Sequence, residues 1–302
     1  MHTRFLLTFL VLATSLPVSV AAASDASALA ASIEAELAAA ATSFRLDVDC
    51  TDADAHRSLK VFKGTVAIWN RDRQILLSQE DSAELLGMLL DADFASFDAR
   101  YGGRQKSDKE EAPLRVSCRI YLRLRDLEKS SVQLLDGEQS DALLGLAGQL
   151  LDRVEKHAEH GITASSLQDG LVKLANEVLA PEVLSLRLLW LPADGDDRSG
   201  YIFRVEGGDV SRQSYVPGES IGTEEKKRLK SCEAGKLIRV LNETRVWDLP
   251  TNVRQAGSTE LDISVLGRRK SVIGRSSFRA TDDEARAAFA ALLEGLKALP
   301  CQ

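Results

Sequence analysis

The sequence predicts an α+β protein made of two tandem copies of a roughly four-stranded antiparallel sheet with helices packed on one face. Segments with helical apolar spacing alternate with strand-like segments, and their order is the same in both halves of the chain. The helix-and-strand segment that begins at Ser27 has a counterpart that begins 138 residues later, at Ser165. A tandem duplication accounts for these observations.

The N-terminal segment has the pattern of a secretory signal peptide. Arg4 precedes an apolar run over residues 5–20, and small residues suited to cleavage follow at Ala22 and Ala23. An uncleaved membrane anchor is the alternative, but the run is short for a bilayer span and no later segment is long and apolar enough. We expect residues 1–23 to be a signal peptide cleaved near Ala22 or Ala23. The mature chain should then have no transmembrane segment and be periplasmic or secreted.

The first copy is predicted over residues 24–161. Leucines and a valine keep helical spacing through its last helix, and apolar residues alternate through its strands. After the helix that begins near Ser27, the expected elements are strands at 43–50 and 58–69, a helix at 81–92, strands at 114–125 and 130–135, and a helix at 141–158.

The second copy is predicted over residues 162–302, after a helix-rich linker at about 160–180. Thr281 and Glu284 form a capping box at the start of its last helix. Turn-forming stretches at 194–200 and 267–270 separate its strands. The expected elements are strands at 184–191 and 200–206, a helix at 233–243, strands at 259–266 and 270–278, and a helix at 282–298.

The four cysteines predict one disulfide in each copy. Cys50 and Cys118 are 68 residues apart, and Cys232 and Cys301 are 69 apart. An even cysteine count in an oxidising compartment favours disulfides, and there is no C-x-x-C that would indicate catalytic thiols. Strand alternation places Cys50 and Cys118 on core-facing positions, so we expect both sulfurs in one core.

Composition and motifs exclude several function classes. The formal charge is −7, so sequence-independent nucleic-acid binding is not expected. The sequence has no P-loop, dinucleotide fingerprint, G-x-S-x-G or H-E-x-x-H motif, and we expect no cofactor. His157 and His160 could ligate a metal, but histidines also suit a helix C-terminus, and we predict no metal site.

A row of cationic residues predicts a binding strip on the outer face of one strand. Period-two alternation in RVSCRIYLRLR places five residues opposite the core. Cross-strand pairing with Asp47 and Asp49 is one interpretation. Recognition of an acidic partner, a glycan carboxylate or a phosphate is the other. This arginine strip consists of Arg115, Arg119, Tyr121, Arg123 and Arg125.

One further pattern carries a resemblance to a known type of domain. The motif Gly64-x-Val66 is followed, after an amphipathic helix, by Phe94-x-x-Phe97-x-x-x-Tyr101, two strands and a closing helix. This pattern resembles a small uncharacterised domain found in exported bacterial proteins, and it covers most of the first copy.

The second copy keeps Val246-x-x-Leu249 but lacks the tyrosine, so a site shared by both copies is in doubt. A plan of two copies with one disulfide each is also similar in style to the secreted β-lactamase inhibitory proteins, although the element order differs. These resemblances imply export and no catalytic residue.

These observations together predict an exported, non-catalytic binding protein. We expect it to act as an inhibitor or immunity-type protein that binds another envelope or secreted protein through sheet faces and loops. A cell-envelope hydrolase with an unrecognised carboxylate pair is one alternative. A structural envelope protein is the other.

Overall fold

The structure is a computed structural model of the 302-residue chain. It describes residues 18–39, 43–51, 55–102, 116–135, 139–190, 200–216, 221–249, 259–274, 290–291 and 294–295. In these ranges the chain forms two largely antiparallel sheets with helices packed against them, which confirms the predicted α+β class. None of the helices in the described part is long and apolar enough to cross a membrane.

The first sheet has eight strands within the described residues, in the order β5-β7-β6-β1-β2-β3-β4-β8. Neighbouring strands are antiparallel except for the parallel pair β5 and β7. The helices are α1 (Val18–Ala38), which begins inside the predicted signal peptide, α2 (Gln79–Asp91) and α3 (Asp141–Ala158). The strands are β1 (Phe44–Thr51), β2 (His56–Phe62), β3 (Val66–Trp69), β4 (Arg73–Leu76), β5 (Arg100–Tyr101), β6 (Val116–Leu124), β7 (Leu127–Leu134) and β8 (Ile162–Thr163).

The second sheet has six strands among the described residues, in the order β12-β11-β10-β9-β13-β14. Helices α4 (Leu167–Ala175) and α5 (Ser231–Glu243) contact each other, and α4 also contacts β13 and β14. The predicted helix at 282–298 lies mostly outside the described residues, but 290–291 and 294–295 are helical. The strands are β9 (Leu184–Trp190), β10 (Gly200–Glu206), β11 (Asp209–Tyr215), β12 (Glu225–Arg228), β13 (Thr259–Val265) and β14 (Arg268–Gly274).

Both sheets contain the same run of strands. The order β7-β6-β1-β2-β3-β4 in the first sheet corresponds to β14-β13-β9-β10-β11-β12 in the second. A duplication would produce this arrangement. The duplication itself, and the boundaries at 24–161 and 162–302, stay predictions.

The sheets have more strands than the roughly four that we expect for each copy. The segment predicted as one strand at 58–69 is split into β2 and β3. Five further strands have no predicted counterpart: β4, β5, β8, β11 and β12. The basic run Arg268–Lys270 lies in β14 and not in a turn. The hairpin before it turns at Leu266 and Gly267, where both φ angles are positive (45° and 75°), as a two-residue type I′ turn requires.

Apolar strand residues of each sheet pack against the helices. In the first core, Leu46 and Ile120 lie together with Leu150 of α3, and all three are fully buried. In the second core, Leu188 lies together with Leu237 of α5, again without exposure. Burying side chains of this kind contributes about 1.5–3 kcal/mol each.

The aromatic motif of the first copy belongs to the first core. Phe94 and Phe97 are buried there, with ring centroids 5.6 Å apart in an edge-on arrangement. Tyr101 packs edge-on against Phe97 at 6.4 Å, and its hydroxyl accepts a hydrogen bond from the backbone N–H of Asp98 (2.9 Å). The motif therefore closes the end of α2 against the core.

Cys50 of β1 and Cys118 of β6 form the first predicted disulfide. The strand register places the two residues directly opposite each other, with their Cα atoms 4.0 Å apart. Both contribute to the first core, as the alternation predicts. Cys301 lies outside the described residues, so the pairing of Cys232 with Cys301 stays a prediction.

Candidate binding cleft between the two sheets

The sheet faces opposite the helices are polar. Along β1, buried Phe44, Leu46 and Val48 alternate with half-buried Arg45 and Asp47. The same alternation in β6 places Arg119, Tyr121 and Arg123 on the polar face, and in β9 it places Ser185 and Arg187 there. The period of two in these strands thus separates a core face from a polar face.

The two polar faces lie on opposite sides of one cleft of about 760 Å³, which we call the inter-sheet cleft. The first sheet docks against the second through Val66 and Ile68 of β3, which pack on the second core. Eight basic and seven acidic side chains of the described residues line the cleft. They are Arg45, Lys60, Arg71, Arg119, Arg123, Arg204, Lys226 and Arg269, with Asp47, Asp49, Glu128, Glu182, Glu206, Asp209 and Glu224.

A tight turn of the second sheet rests on the polar face of the first. The turn, residues 206–209, joins β10 to β11, and we call it the docking turn. Gly207 and Gly208 both have positive φ angles, 60° and 79°, which glycine adopts without strain. Gly207 lies so close to the Phe62 ring that a Cβ atom there would be 2.2 Å from Cε1 of Phe62. Only glycine fits this contact.

The two carboxylates of the docking turn bind cations of the first sheet. Glu206 lies 2.9 Å from Nζ of Lys60 and 3.6 Å from the Arg45 guanidinium. Asp209 accepts a hydrogen bond of 2.7 Å from Arg123. Burial alone would raise the pKa of Glu206, but Lys60 and Arg45 outweigh it and lower that pKa below its usual value.

The arginine strip is divided among three environments. Arg123 binds Asp209 across the cleft, and Arg125, in the turn after β6, pairs with the buried Glu36 of α1 at 3.1 Å. Arg119 is exposed and makes no ion pair within the described part of the chain. Arg115 lies outside the described residues.

The predicted cross-strand pairing is present as register but not as ion pairs. Strand β1 does pair with β6, and Arg119 stands opposite Asp49. Asp49, however, interacts with Arg71 (3.3 Å) and His56 (3.0 Å). Asp47 pairs with Arg45 of its own strand at 2.9 Å. Competing partners on β1, on β2 and in the turn between β3 and β4 therefore leave Arg119 without a carboxylate.

Aromatic rings alternate with guanidinium groups on the polar face of the first sheet. The Arg45 guanidinium lies over the rings of Phe62 and Tyr121, 5.4 and 5.9 Å from their centroids. The Arg119 guanidinium also lies over the Tyr121 ring, 5.7 Å from its centroid. Burial and a hydrogen bond with Glu128 raise the pKa of Tyr121 to about 12, so its ring stays neutral. Arg119 is the cation in this stack that has no carboxylate partner among the described residues.

The second sheet contributes a matching set of polar groups. Arg204 hydrogen-bonds Gln213 at 3.0 Å and lies 3.5 Å from Glu224, which also pairs with Lys226 at 3.1 Å. Hydrogen bonds from Ser211 and Lys226 lower the pKa of Glu224. Arg269 of β14 lines the cleft, is exposed, and pairs with no carboxylate of the described residues.

The histidines considered as metal ligands lie away from the cleft. His157 is at the end of α3, with Nε2 3.3 Å from Asp81 of α2. Within the described ranges, no group of three or more His, Cys, Asp or Glu residues is placed to hold a metal ion.

The sequence indicated the strip but not its surroundings. The sequence pattern associates Asp47 and Asp49 with the strip, but it does not associate Glu206, Asp209 or Arg269 with it. The Glu-Gly-Gly-Asp sequence of the docking turn was the available signal, because two glycines between strand residues indicate a type I′ hairpin turn. No local pattern indicates which surface such a turn contacts.

No protein-family model and no curated protein matches this chain. The resemblance to an exported-protein domain therefore stays a prediction.

Proposed function

We propose that this chain is an exported, non-catalytic binding protein that holds part of a protein partner in the inter-sheet cleft. The observation that carries the proposal is that the polar faces of both sheets line one cleft of about 760 Å³. Concave sites between structural units are common places for ligand binding. The partner would enter between the sheets, which differs from binding on an isolated flat face.

The electrostatics of the cleft favour binding over acid-base catalysis. A general acid or base works best with a pKa near the working pH. The pKa values in the cleft are shifted away from neutral pH. Those of Glu206 and Glu224 are lowered, and that of Tyr121 is raised to about 12. A hydrogen bond with Asp209 likewise outweighs burial and raises the pKa of Arg123. These groups therefore keep one protonation state near neutral pH, which suits recognition of a partner.

The carboxylates of the cleft also have partners. Asp47, Asp49, Glu206, Asp209 and Glu224 each pair with a lysine or arginine. A hydrolase of the two-carboxylate type needs one carboxylic acid whose pKa is raised. The ion pairs work against that requirement.

Two features support export. The Cys50–Cys118 disulfide is typical of oxidising compartments, and the N-terminal segment has the charged, apolar and small-residue regions of a signal peptide. A periplasmic or secreted location, with cleavage near Ala22 or Ala23, is therefore part of the proposal.

The test compares how well two forms of the protein capture a partner, one with the cleft open and one with the cleft filled by a large side chain. Ser185 is exposed and lines the cleft, so Ser185→Trp should fill the space, and a strand accommodates tryptophan well. Ala35→Trp, on the exposed side of α1, is the matched control. The oxidised proteins would be immobilised and exposed to the envelope and secreted fractions of the source, and retained proteins quantified by mass spectrometry.

We expect one protein to be retained at near one-to-one stoichiometry by the unchanged chain and by Ala35→Trp. Its recovery should fall at least about tenfold with Ser185→Trp. Equal retention by Ser185→Trp would place the binding surface outside the cleft and refute the proposal. Retention of nothing by the unchanged chain, at low and moderate salt, would also count against it.

A further inference from the structure

The chain already shows what kind of group its polar sheet face binds. Lys60, Arg45 and Arg123 of the first sheet hold the carboxylates of Glu206 and Asp209 on the docking turn. The bound element is a short hairpin tip with an acidic residue on each side of two glycines. This intramolecular contact shows that the polar face of the first sheet can bind an acidic loop.

Arg119 continues the same row of residues beyond the docking turn. It lies two positions from Tyr121 on β6, and its guanidinium lies 5.7 Å from the centroid of that ring. Stacking limits the orientations of the planar guanidinium, so less freedom is lost when a carboxylate binds. Its nearest register partner, Asp49, is engaged by Arg71 and His56. Arg119 is therefore oriented but without an acidic partner in the described chain.

Arg269 provides a second such cation on the opposite wall. It belongs to β14 of the second sheet, lines the same cleft and is exposed. The described carboxylates of the cleft are already paired or hydrogen-bonded, whereas these two arginines have no carboxylate. The groups that remain available in the cleft are thus cationic, one on each sheet.

We propose that the inter-sheet cleft binds an acidic loop of a partner protein, with one carboxylate on Arg119 and another on Arg269. This inference rests on the proposed function and names the chemistry of the partner's surface. Charge complementarity carries it: a carboxylate can form two parallel hydrogen bonds with a guanidinium. The formal charge of the whole chain is −7, so attraction depends on these local cations and should weaken as salt screens them.

The test uses three labelled synthetic peptides that share one sequence. The first is a disulfide-closed hairpin carrying four glutamates, the second has glutamine in their place, and the third has phosphoserine. Binding to the oxidised full chain would be followed by fluorescence anisotropy at low and moderate salt. Inorganic phosphate would be added as a competitor.

The protein variants are Arg119→Ser, Arg269→Ser, Arg119→Lys and the control Arg239→Ser. Arg239 is an exposed arginine on α5 that is not among the residues lining the cleft, so it matches the loss of one positive charge. Because Arg119 and Arg269 are exposed, their replacement should leave the urea midpoint unchanged. That measurement separates lost binding from unfolding.

We expect the glutamate peptide to bind and the glutamine peptide to bind at least about tenfold more weakly, since charge-assisted hydrogen bonds are lost. Arg119→Ser and Arg269→Ser should each weaken binding by about tenfold or more, Arg119→Lys by less, and Arg239→Ser should have no effect. The glutamate peptide should also compete with the protein captured through the cleft.

Several results would overturn the acidic-loop assignment. They are equal binding of the glutamine peptide, no response to Arg119→Ser and Arg269→Ser, or no detectable binding of the glutamate peptide at low salt. Preference for phosphoserine, with competition by inorganic phosphate, would assign the cleft to phosphate instead. If Ser185→Trp still abolishes capture of a partner in any of these cases, the proposed function stands and only the ligand chemistry is wrong.

Discussion

Gly207 is the position where a single methyl group should disturb the contact between the two sheets. Its φ angle is +60°, and a Cβ atom there would lie 2.2 Å from Cε1 and 2.6 Å from Cδ1 of Phe62. Phe62 is buried, so its ring has little room to move away. We predict that Gly207→Ala destabilises the protein by pushing the docking turn off the first sheet.

The magnitude follows from two separate costs. An alanine in the left-handed backbone region costs about 1–2 kcal/mol. An added methyl group in a tightly packed contact costs typically 1–3 kcal/mol. Gly207→Ala should therefore lower the free energy of unfolding by about 3 kcal/mol.

Gly208→Ala is the matched control for this prediction. Its φ angle is +79°, but the nearest atom to an added Cβ is 3.4 Å away, on Glu182, which is an ordinary contact. This variant should show the backbone cost alone, about 1–2 kcal/mol. The difference between the two variants isolates the clash with Phe62.

The assay is urea unfolding followed by circular dichroism and by tryptophan fluorescence, with Trp69 in the first core as one reporter. Gly207→Ala should be less stable than Gly208→Ala by at least about 1 kcal/mol. Phe62→Leu should reduce that difference, because it removes the ring carbons that the methyl group meets. Equal stability of the two glycine variants would refute the proposed docking geometry.

Two further predictions concern the first sheet and its helices. Cys50→Ser with Cys118→Ser opens a loop of 68 residues, so the free energy of unfolding should fall by about 4 kcal/mol in the chain-entropy model, measured by urea titration against the oxidised parent. Asp81 completes the capping box of α2 with the N-cap residue Ser78, and hydrogen bonds from Ser78, helped by His157 and Arg153, outweigh burial and lower the pKa of Asp81. Its stabilising effect should therefore be present at neutral pH and be lost as the pH falls below about 4. Asp81→Asn should lower stability at pH 7 and flatten that acid dependence, and an unchanged slope below pH 4 would contradict this assignment.

Local pattern was sufficient to predict most elements that bury an apolar face. The helix expected at 141–158 is α3, because five apolar residues keep the helical period and Ser140 caps its start. The strand at 200–206 is β10, and the polar and apolar faces of β6 follow the alternation. Burial on one side fixes both the period and the register of such elements.

The elements that were missed lack such a signal. Strand β12, Glu225–Arg228, has four charged, exposed residues, and it exists because its backbone pairs with β11 at the edge of the sheet. Strand β4 is four residues long and follows a type I′ turn at Asn70 and Arg71, both with positive φ angles. Asparagine adopts that conformation more readily than most residues, but an arginine beside it gives no such indication.

The cleft depends on contacts between residues far apart in the sequence. Arg123 and Asp209 are 86 residues apart, and Lys60 and Glu206 are 146 apart. A carboxylate in a sequence gives no indication of which cation it will meet. The strip could therefore be predicted as a polar face, whereas its opposite wall required the docking of Val66 and Ile68 on the second core.

The division of the arginine strip changes how its mutations must be interpreted. Arg123 holds the docking turn, so Arg123→Ser leaves Asp209 without its cation and should lower stability and alter the width of the cleft. Arg119 has no such partner in the described chain, so Arg119→Ser should leave stability unchanged. Loss of partner binding in Arg123→Ser would thus follow from either a lost contact or a displaced wall. Only loss of binding in Arg119→Ser, at unchanged stability, identifies a residue of the strip that contacts the partner.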